Sequence, residues 1–393
     1  MKIGKSTLFV LFYILFVLCF SVFSYSQIDL NLTLWSNKYY QTVQQLLINL
    51  GYFNRPLSSA IYLALILLQF SFFRILLNIT KDKKVFSKKT LVLLISFNII
   101  LAFIAYPAFS HDFFNYLFDA RIVTKYHLNP YQFKALDFPG DLWTRFMHWT
   151  HRTYPYGPLW LIVTLPFSFM GFGKFVLTVT LFKLMFVIFY LLNTFIVWKL
   201  SKIILKKFSW QPVILYAFNP LIIIESLVSP HNENVMLFFF LYSCYLLFVF
   251  KNRFLAGLSL FSSIGVKFIT IVLMPLFFVK EIISNSLIFL KISLILLFVP
   301  FILEVNYREA YPWYFIPLIG VTALINSAFL NKLVFYVSLG ALLRYLPYFY
   351  MGSYQKEGVM QMNILLLLPV LLFLAGSFCI NFTKNLKYKI LKL

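Results

Sequence analysis

Residues 175–198, FVLTVTLFKLMFVIFYLLNTFIVW, hold one charged side chain, Lys183, in an otherwise apolar run. About 20 such residues carry an α-helix across the hydrocarbon core of a bilayer. The run is continuous rather than alternating, so it reads as a spanning helix and not as a strand of an outer-membrane barrel. Comparable runs lie near 6–26, 58–79, 91–109, 211–229, 234–250, 283–303, 312–330, 333–350 and 361–380. Over all 393 residues, 61% are hydrophobic and 12% charged, and the mean hydropathy is +0.85. A soluble domain carries roughly a quarter charged residues. These values exclude a cytosolic globular protein, a disordered chain and a secreted disulfide scaffold. The expected fold class is therefore an all-α polytopic membrane protein. The first run follows Lys2 and Lys5 and could be a signal peptide cut near Ser24 and Ser26; in a chain that spans repeatedly it reads as a retained helix.

The net charge is +22, from 34 Lys+Arg against 12 Asp+Glu. Basic residues collect in the cytoplasmic loops of polytopic proteins. No basic domain stands outside the apolar runs, so nucleic acid is not an expected partner. Cys19, Cys244 and Cys379 all fall inside apolar runs and read as packing residues. The clusters Lys81, Lys83, Lys84, Lys88, Lys89 and Lys199, Lys202, Lys206, Lys207 share one side only if residues 158–170 do not cross. That segment, PLWLIVTLPFSFM, is expected to lie in or dip into the outer interface. The run 254–280 is broken by Gly265-Val266-Lys267 and reads as two short spans with Lys267 at the outer tip. This keeps the tail bearing Lys384, Lys387, Lys389 and Lys392 inside. The sum is about twelve transmembrane helices with both termini cytoplasmic. Arg74, Lys183, Lys291 and Arg344 fall within spans, where each costs about 2.5–3.5 kcal/mol at the bilayer centre, so they are expected to snorkel or pair.

Of the twelve carboxylates, only Asp82 and Glu281 fall on the cytoplasmic side of this topology. The other ten lie in outer loops or near outer helix ends. Acidic residues contribute little to topology, so the concentration places chemistry on the outer face. The stretch SHDFFNYLFDARIVTKYHLNPY, residues 110–131, is the richest. As a helix it sets Asp112, Asn115 and Asp119 within about 60° of one another and Arg121 and Lys125 opposite. Such a helix can lie along the membrane surface and hold a carboxylate pair over the bilayer edge. Asn129-Pro130 ends it. Residues 132–157 add Trp143, His148, Trp149, His151, Tyr154 and Tyr156, which fit an interfacial belt or the stacking surface of a sugar subsite. His148 and His151 lack a third ligand nearby, so no zinc site is expected. NPLIIIESLVSPHNEN, residues 219–234, sets Glu225 below His231, Asn232 and Glu233. Lys267, and Arg308 in the loop that also carries Pro312-Trp313-Tyr314, are candidate phosphate ligands, because a point charge or a guanidinium suits that group.

These elements, HDFFNYLFDAR, HLNPY, YPYGPLW, FNPLIIIES with PHNE, and VKF, in that order, resemble the GT-C superfamily of integral membrane glycosyltransferases. They are similar to its mannosyltransferase branch that uses polyprenyl-phosphate sugars, over roughly residues 91–315. The resemblance implies an N-terminal pair of helices in 1–90, a catalytic membrane core in 91–315 with outer loops over 110–174, and C-terminal helices with a basic cytoplasmic tail in 316–393. It implies inverting transfer of a hexose, mannose by family analogy, from a lipid-linked phosphosugar to an acceptor hydroxyl on a glycan or glycolipid. The active site would face the outside of the cytoplasmic membrane, and no cofactor or metal is implied. Asp112 would be the general base with Asp119 assisting. Asn115, Arg121, Tyr131, Tyr156, His231, Asn232, Glu233, Lys267, Arg308 and Trp313 would bind substrate. The family pattern often shows Asp where Glu233 stands. The competing class is a secondary transporter or lipid-linked sugar flippase, which would place ionisable groups near the bilayer midplane.

Overall fold

A computed structural model of the chain describes residues 5–28, 36–80, 87–206, 209–307, 309–352 and 356–390. Among these residues the secondary structure is entirely helical. Helix α1 (Lys5–Ser24) packs against α3 (Arg55–Ile79) and α4 (Lys88–Ile104), with the short α2 (Lys38–Ile48) between α1 and α3 in sequence. Ser87 caps α4 by accepting from the Thr90 amide at 3.1 Å. Next come α5 (Asp112–Thr124), α6 (Pro158–Met170) and the long α7 (Phe175–Ile204). The quoted apolar run thus forms most of one helix.

The following span is broken. Helix α8 (Gln211–Ala217) and α9 (Pro220–Ile223), with its π-helical continuation Ile224–Val228, meet at 47°. Pro220 brings no amide proton, and the Leu221 amide turns to the Asn219 side chain at 3.0 Å. The Ala217 carbonyl is thereby freed from the helix ladder and accepts from the Tyr190 hydroxyl at 2.8 Å. A carbonyl released inside a membrane helix must find such a donor. The Tyr190 hydroxyl in turn accepts from Asn98 at 3.1 Å, and Asn98 accepts from Tyr13. This buried chain joins α8, α7, α4 and α1.

Helices α10 (Glu233–Phe248) and α11 (Arg253–Val266) form a tight pair, and the chain breaks at Lys267, whose backbone is extended, before a 3₁₀ segment Phe268–Phe278. The expected interruption of 254–280 falls at that residue. Helices α12 (Lys280–Ser284), α13 (Ser286–Tyr307), α14 (Ile316–Ile325, after the turn Pro312–Phe315), α15 (Ala328–Leu343), α16 (Leu346–Met351) and α17 (Lys356–Ile390) complete the bundle. The Tyr62 hydroxyl of α3 donates to the Leu342 carbonyl of α15 at 2.8 Å and ties the two ends of the chain together.

Among the described residues, six helices are long and apolar enough to cross a membrane, or seven with the bent pair counted as one span. Pro158–Met170, Glu233–Phe248, Arg253–Val266, Phe268–Phe278 and Pro312–Ile325 are apolar but shorter. Helix length alone therefore gives six or seven crossings; the expected twelve requires α4 and the short helices other than Pro158–Met170 to cross as well. Helix α5 also departs from expectation. Every residue from Asp112 to Ile122 is buried, so it has no solvated face and does not lie as an amphipathic helix on a surface. The loop 129–157 and α6 cover it, and Arg121 and Lys125, expected on its solvated side, both bond Asp141, at 2.7 and 3.0 Å.

One close backbone approach fixes where Lys267 stands. The Gly157 amide donates to the Val266 carbonyl at 3.3 Å, and a Cβ on Gly157 would come within 2.1 Å of the Gly265 carbonyl oxygen. Gly157→Ala is expected to cost about 1–3 kcal/mol through overpacking. The check is a lower midpoint of thermal unfolding in detergent; an unchanged midpoint would contradict the contact.

Candidate active site

The segment leading into α5 is pinned by side chains from three separate elements. Lys183 of α7 donates to the Phe103 and Ala105 carbonyls at 3.2 and 2.5 Å, capping the C-terminus of α4 where a cation is favoured. The expected pairing of this in-span lysine is thus with carbonyls rather than a carboxylate. The Tyr106 amide donates to Ser24 Oγ at 2.8 Å and the Phe109 amide to Ser229 Oγ at 2.9 Å. Asp112 follows at the first position of α5, where the helix amides favour negative charge.

Asp112 opens onto a cavity of about 690 Å³. Its wall is drawn from distant parts of the chain: Ser110, His111 and Tyr116; Trp149, Arg152 and Tyr156; Lys267; Glu309, Tyr311 and Trp313; Arg344 and Tyr345. Arg152 Nη2 stands 3.6 Å from Asp112 Oδ1. Burial raises the Asp112 carboxyl above its ordinary value, while Arg152, Lys267 and the Trp149 indole pull it back. The result is a buried carboxyl beside two cations that is more basic than an aspartate in water.

Lys267 bonds Glu233 at the first position of α10, and Arg344, at the end of α15, bonds Glu309. The His231 ring lies against Trp313 at 3.9 Å, and Trp313 stacks on Tyr311 at 4.6 Å with the rings 4° from parallel. Tyr311 and Trp313 thus bring aromatic surface to the cavity wall. Behind them, Glu225 sits 3.1 Å from His231 Nδ1 and accepts from the Tyr345 hydroxyl at 3.0 Å. His111 stacks on His148 at 3.5 Å, and burial with that neighbour pushes the His111 imidazole down to about 3. It is neutral at physiological pH and adds no positive charge beside Asp112.

Of the residues singled out from sequence, Asp112, Tyr156, Lys267 and Trp313 line the cavity. His231 and Glu233 touch it through Trp313 and Lys267. Asn232 is fully buried, and neither of its side-chain polar atoms has a hydrogen-bond partner among the described residues. The others point elsewhere. Asn115 donates to the Trp149 carbonyl at 3.2 Å, and the Tyr131 hydroxyl to the Tyr156 carbonyl at 3.0 Å. Arg121 packs over Trp143 at 3.8 Å and bonds Asp141, which accepts from Lys125 and Tyr126 too and is held well below the usual carboxylate range by those partners against its burial. Asp119 is buried outside the cavity wall. Arg308 lies outside the described residues. Sequence reasoning passed over Arg152, Glu309 and Tyr345 as site residues. It flagged Arg344 only as a costly charge within a span, and that cost was the available signal.

Comparison with protein families bears on this arrangement directly. Residues 27–282 match the N-terminal domain of the alpha-(1->6)-mannopyranosyltransferases. The chain belongs to that family. It is a GT-C-type membrane glycosyltransferase. Neither a curated protein nor a solved structure matches it. The family match starts before α3, which the sequence resemblance had left outside, and ends before Glu309 and Arg344, so this mannosyltransferase completes its cavity wall with residues beyond the matched domain.

Asp119 yields a pH-dependent test. Burial first, and then the nearby Asp112, push its carboxyl up to about 7, against an opposing pull from Arg152. A carboxyl raised on folding binds more protons in the folded state, so stability falls as pH rises from about 4 toward 7 and the cost is complete above. Asp119→Asn is expected to raise the unfolding midpoint at pH 8 and to lose that advantage at pH 4. Thermal unfolding of both proteins across that range is the measurement.

Proposed function

We propose that the protein transfers a mannosyl unit from a polyprenyl-phosphate donor to an acceptor hydroxyl, on a glycan or glycolipid, with inversion at the anomeric carbon. The observation that carries this reading is a single buried carboxylate, Asp112, sharing one cavity with Arg152, Lys267 and Arg344. The acceptor oxygen attacks the anomeric carbon as Asp112 takes its proton. The bond from that carbon to the phosphate oxygen breaks, and the lipid phosphate leaves with the electron pair. A positioned base contributes about 10²–10⁴-fold. Fixed cations stabilise the charge that grows on the leaving oxygen, and do so most effectively in a site closed to water. Lys267 and Arg344 serve the phosphate, while Arg152 orients Asp112. Tyr311 and Trp313 receive the sugar face. Asp119, buried near Asp112, assists from outside the cavity wall.

In this reading the cavity faces the outside of the cytoplasmic membrane. Nucleotide sugars do not reach that side, which calls for a donor carried by lipid. The charge distribution of the loops supports about twelve crossings, short helices included, with both termini cytoplasmic. The N-terminal helices, the core over 91–315 and the C-terminal helices then act as one unit around the cavity.

The test is transfer by the reconstituted protein with radiolabelled polyprenyl-phosphate mannose. Asp112→Asn is expected to lower kcat by at least about 10²-fold while the protein stays inserted and folded. The wild-type rate should fall in acid with an inflection above the ordinary aspartate value, because the base form of Asp112 is required. A wild type that transfers no sugar but moves a lipid-linked sugar across the bilayer would replace this reading with a flippase.

A further inference from the structure

Each cation on the cavity wall is already engaged by a carboxylate: Arg152 by Asp112, Lys267 by Glu233 and Arg344 by Glu309. An anionic substrate must therefore take a cation away from its partner. The three carboxylates differ in how easily they can give one up. The side chain of Glu233 is 1% exposed, that of Asp112 12% and that of Glu309 28%. Glu309 also sits on irregular backbone ahead of the Pro312–Phe315 turn, whereas Glu233 and Asp112 are set in the first turns of helices. It can rotate into water without moving a helix.

Arg344 is the complement. Its side chain is 2% exposed, its guanidinium lies 5.0 Å over the Tyr311 ring, and its Nε is buried without a hydrogen-bond partner among the described residues. A guanidinium offers five donors in a planar fork that matches two oxygens of a phosphate. Buried donors without partners are uncommon in native proteins and ask for a reason. A ligand that engages the fork more fully than Glu309 does is such a reason.

We propose that the Glu309 carboxylate is a built-in competitor for the donor's phosphate: it holds Arg344 in place before the donor binds and surrenders it to the lipid phosphate. This rests on the lipid-phosphate donor proposed above. The exchange keeps the buried guanidinium paired at every stage, since one oxyanion replaces another. It also gives product release a driving partner, because Glu309 returns to Arg344 as the lipid phosphate departs.

The sign of one variant decides the matter. If Glu309 competes, Glu309→Gln lowers the donor KM, by about 5-fold or more for a coupling of ordinary size, and sharpens product inhibition by polyprenyl phosphate to a similar degree. If Glu309 merely orients Arg344, the same variant raises the donor KM. The assay uses the full-length protein in proteoliposomes with titrated polyprenyl-phosphate mannose. Glu309→Asp, which keeps the charge, is expected to stay near the wild-type KM. Arg344→Lys should raise KM and cancel the gain from Glu309→Gln in the double variant. Inhibition by inorganic phosphate that sharpens without any change in donor KM would assign the site to a free anion and overturn the proposal. A donor KM that is unchanged or raised in Glu309→Gln, with wild-type transfer intact, overturns this inference alone. Should Glu309→Gln not fold, an unchanged donor KM in Arg344→Lys overturns it equally. A wild type that transfers from no polyprenyl-phosphate donor removes the functional reading beneath it.

Discussion

A charge or a free carbonyl inside a helical membrane protein has no water to turn to, and the layout of this chain follows from how each one is matched. The carbonyls at the end of α4 are met by Lys183, and the Ala217 carbonyl released by the break before Pro220 is met by Tyr190. Irregular backbone at membrane depth is tolerated only where protein or a cavity satisfies it. Both breaks sit beside the working part of the molecule. One leads through the π-helical turn to Glu225 and His231, and the other, at Lys267, opens on the cavity itself. π-helical turns often occur at functional sites.

The same rule explains why so polar a cavity can exist in so apolar a chain. Paired ions cost less to bury than isolated ones, though their pairing is seldom a net gain in stability. What the pairs provide is position. Arg152 reaches Asp112 from a loop that is itself clamped to α5 by Asp141, Trp143 and the Trp149 carbonyl. Lys267 is held by Glu233 and by the glycine contact at Gly157. Side chains held this way are fixed in place around the cavity.

Much of this was legible in the sequence, and the misses share a cause. Apolar runs locate helices because one local property, hydropathy, sets them; the break at Lys267 was visible as Gly-Val-Lys in an apolar run. The order of motifs identified the family, and Asp112, Tyr156, Lys267 and Trp313 do meet at one cavity. Helical periodicity put Arg121 and Lys125 opposite the carboxylates, as found, but could not show that a loop would fold over that face and engage them through Asp141. Arg344 and Glu309 are 35 positions apart and belong to different elements, so no local pattern pairs them. Helix length was the other weak point, since the runs near 234–250 and 312–330 form the shorter segments Glu233–Phe248 and Pro312–Ile325.

The hydroxyl of Tyr62 on the Leu342 carbonyl joins residues 280 positions apart. Closing so large a loop requires the last helices to be present before the bond can form, and its entropic cost grows only slowly with length. Ser24, near the start of the chain, already holds the Tyr106 amide ahead of Asp112, while Arg344 comes from near the other end. During synthesis, then, the segment leading into Asp112 can assemble early while the Arg344 side of the cavity waits for the C-terminal helices. A partly inserted chain thus has an unfinished cavity, its wall open where Glu309, Arg344 and Tyr345 will stand.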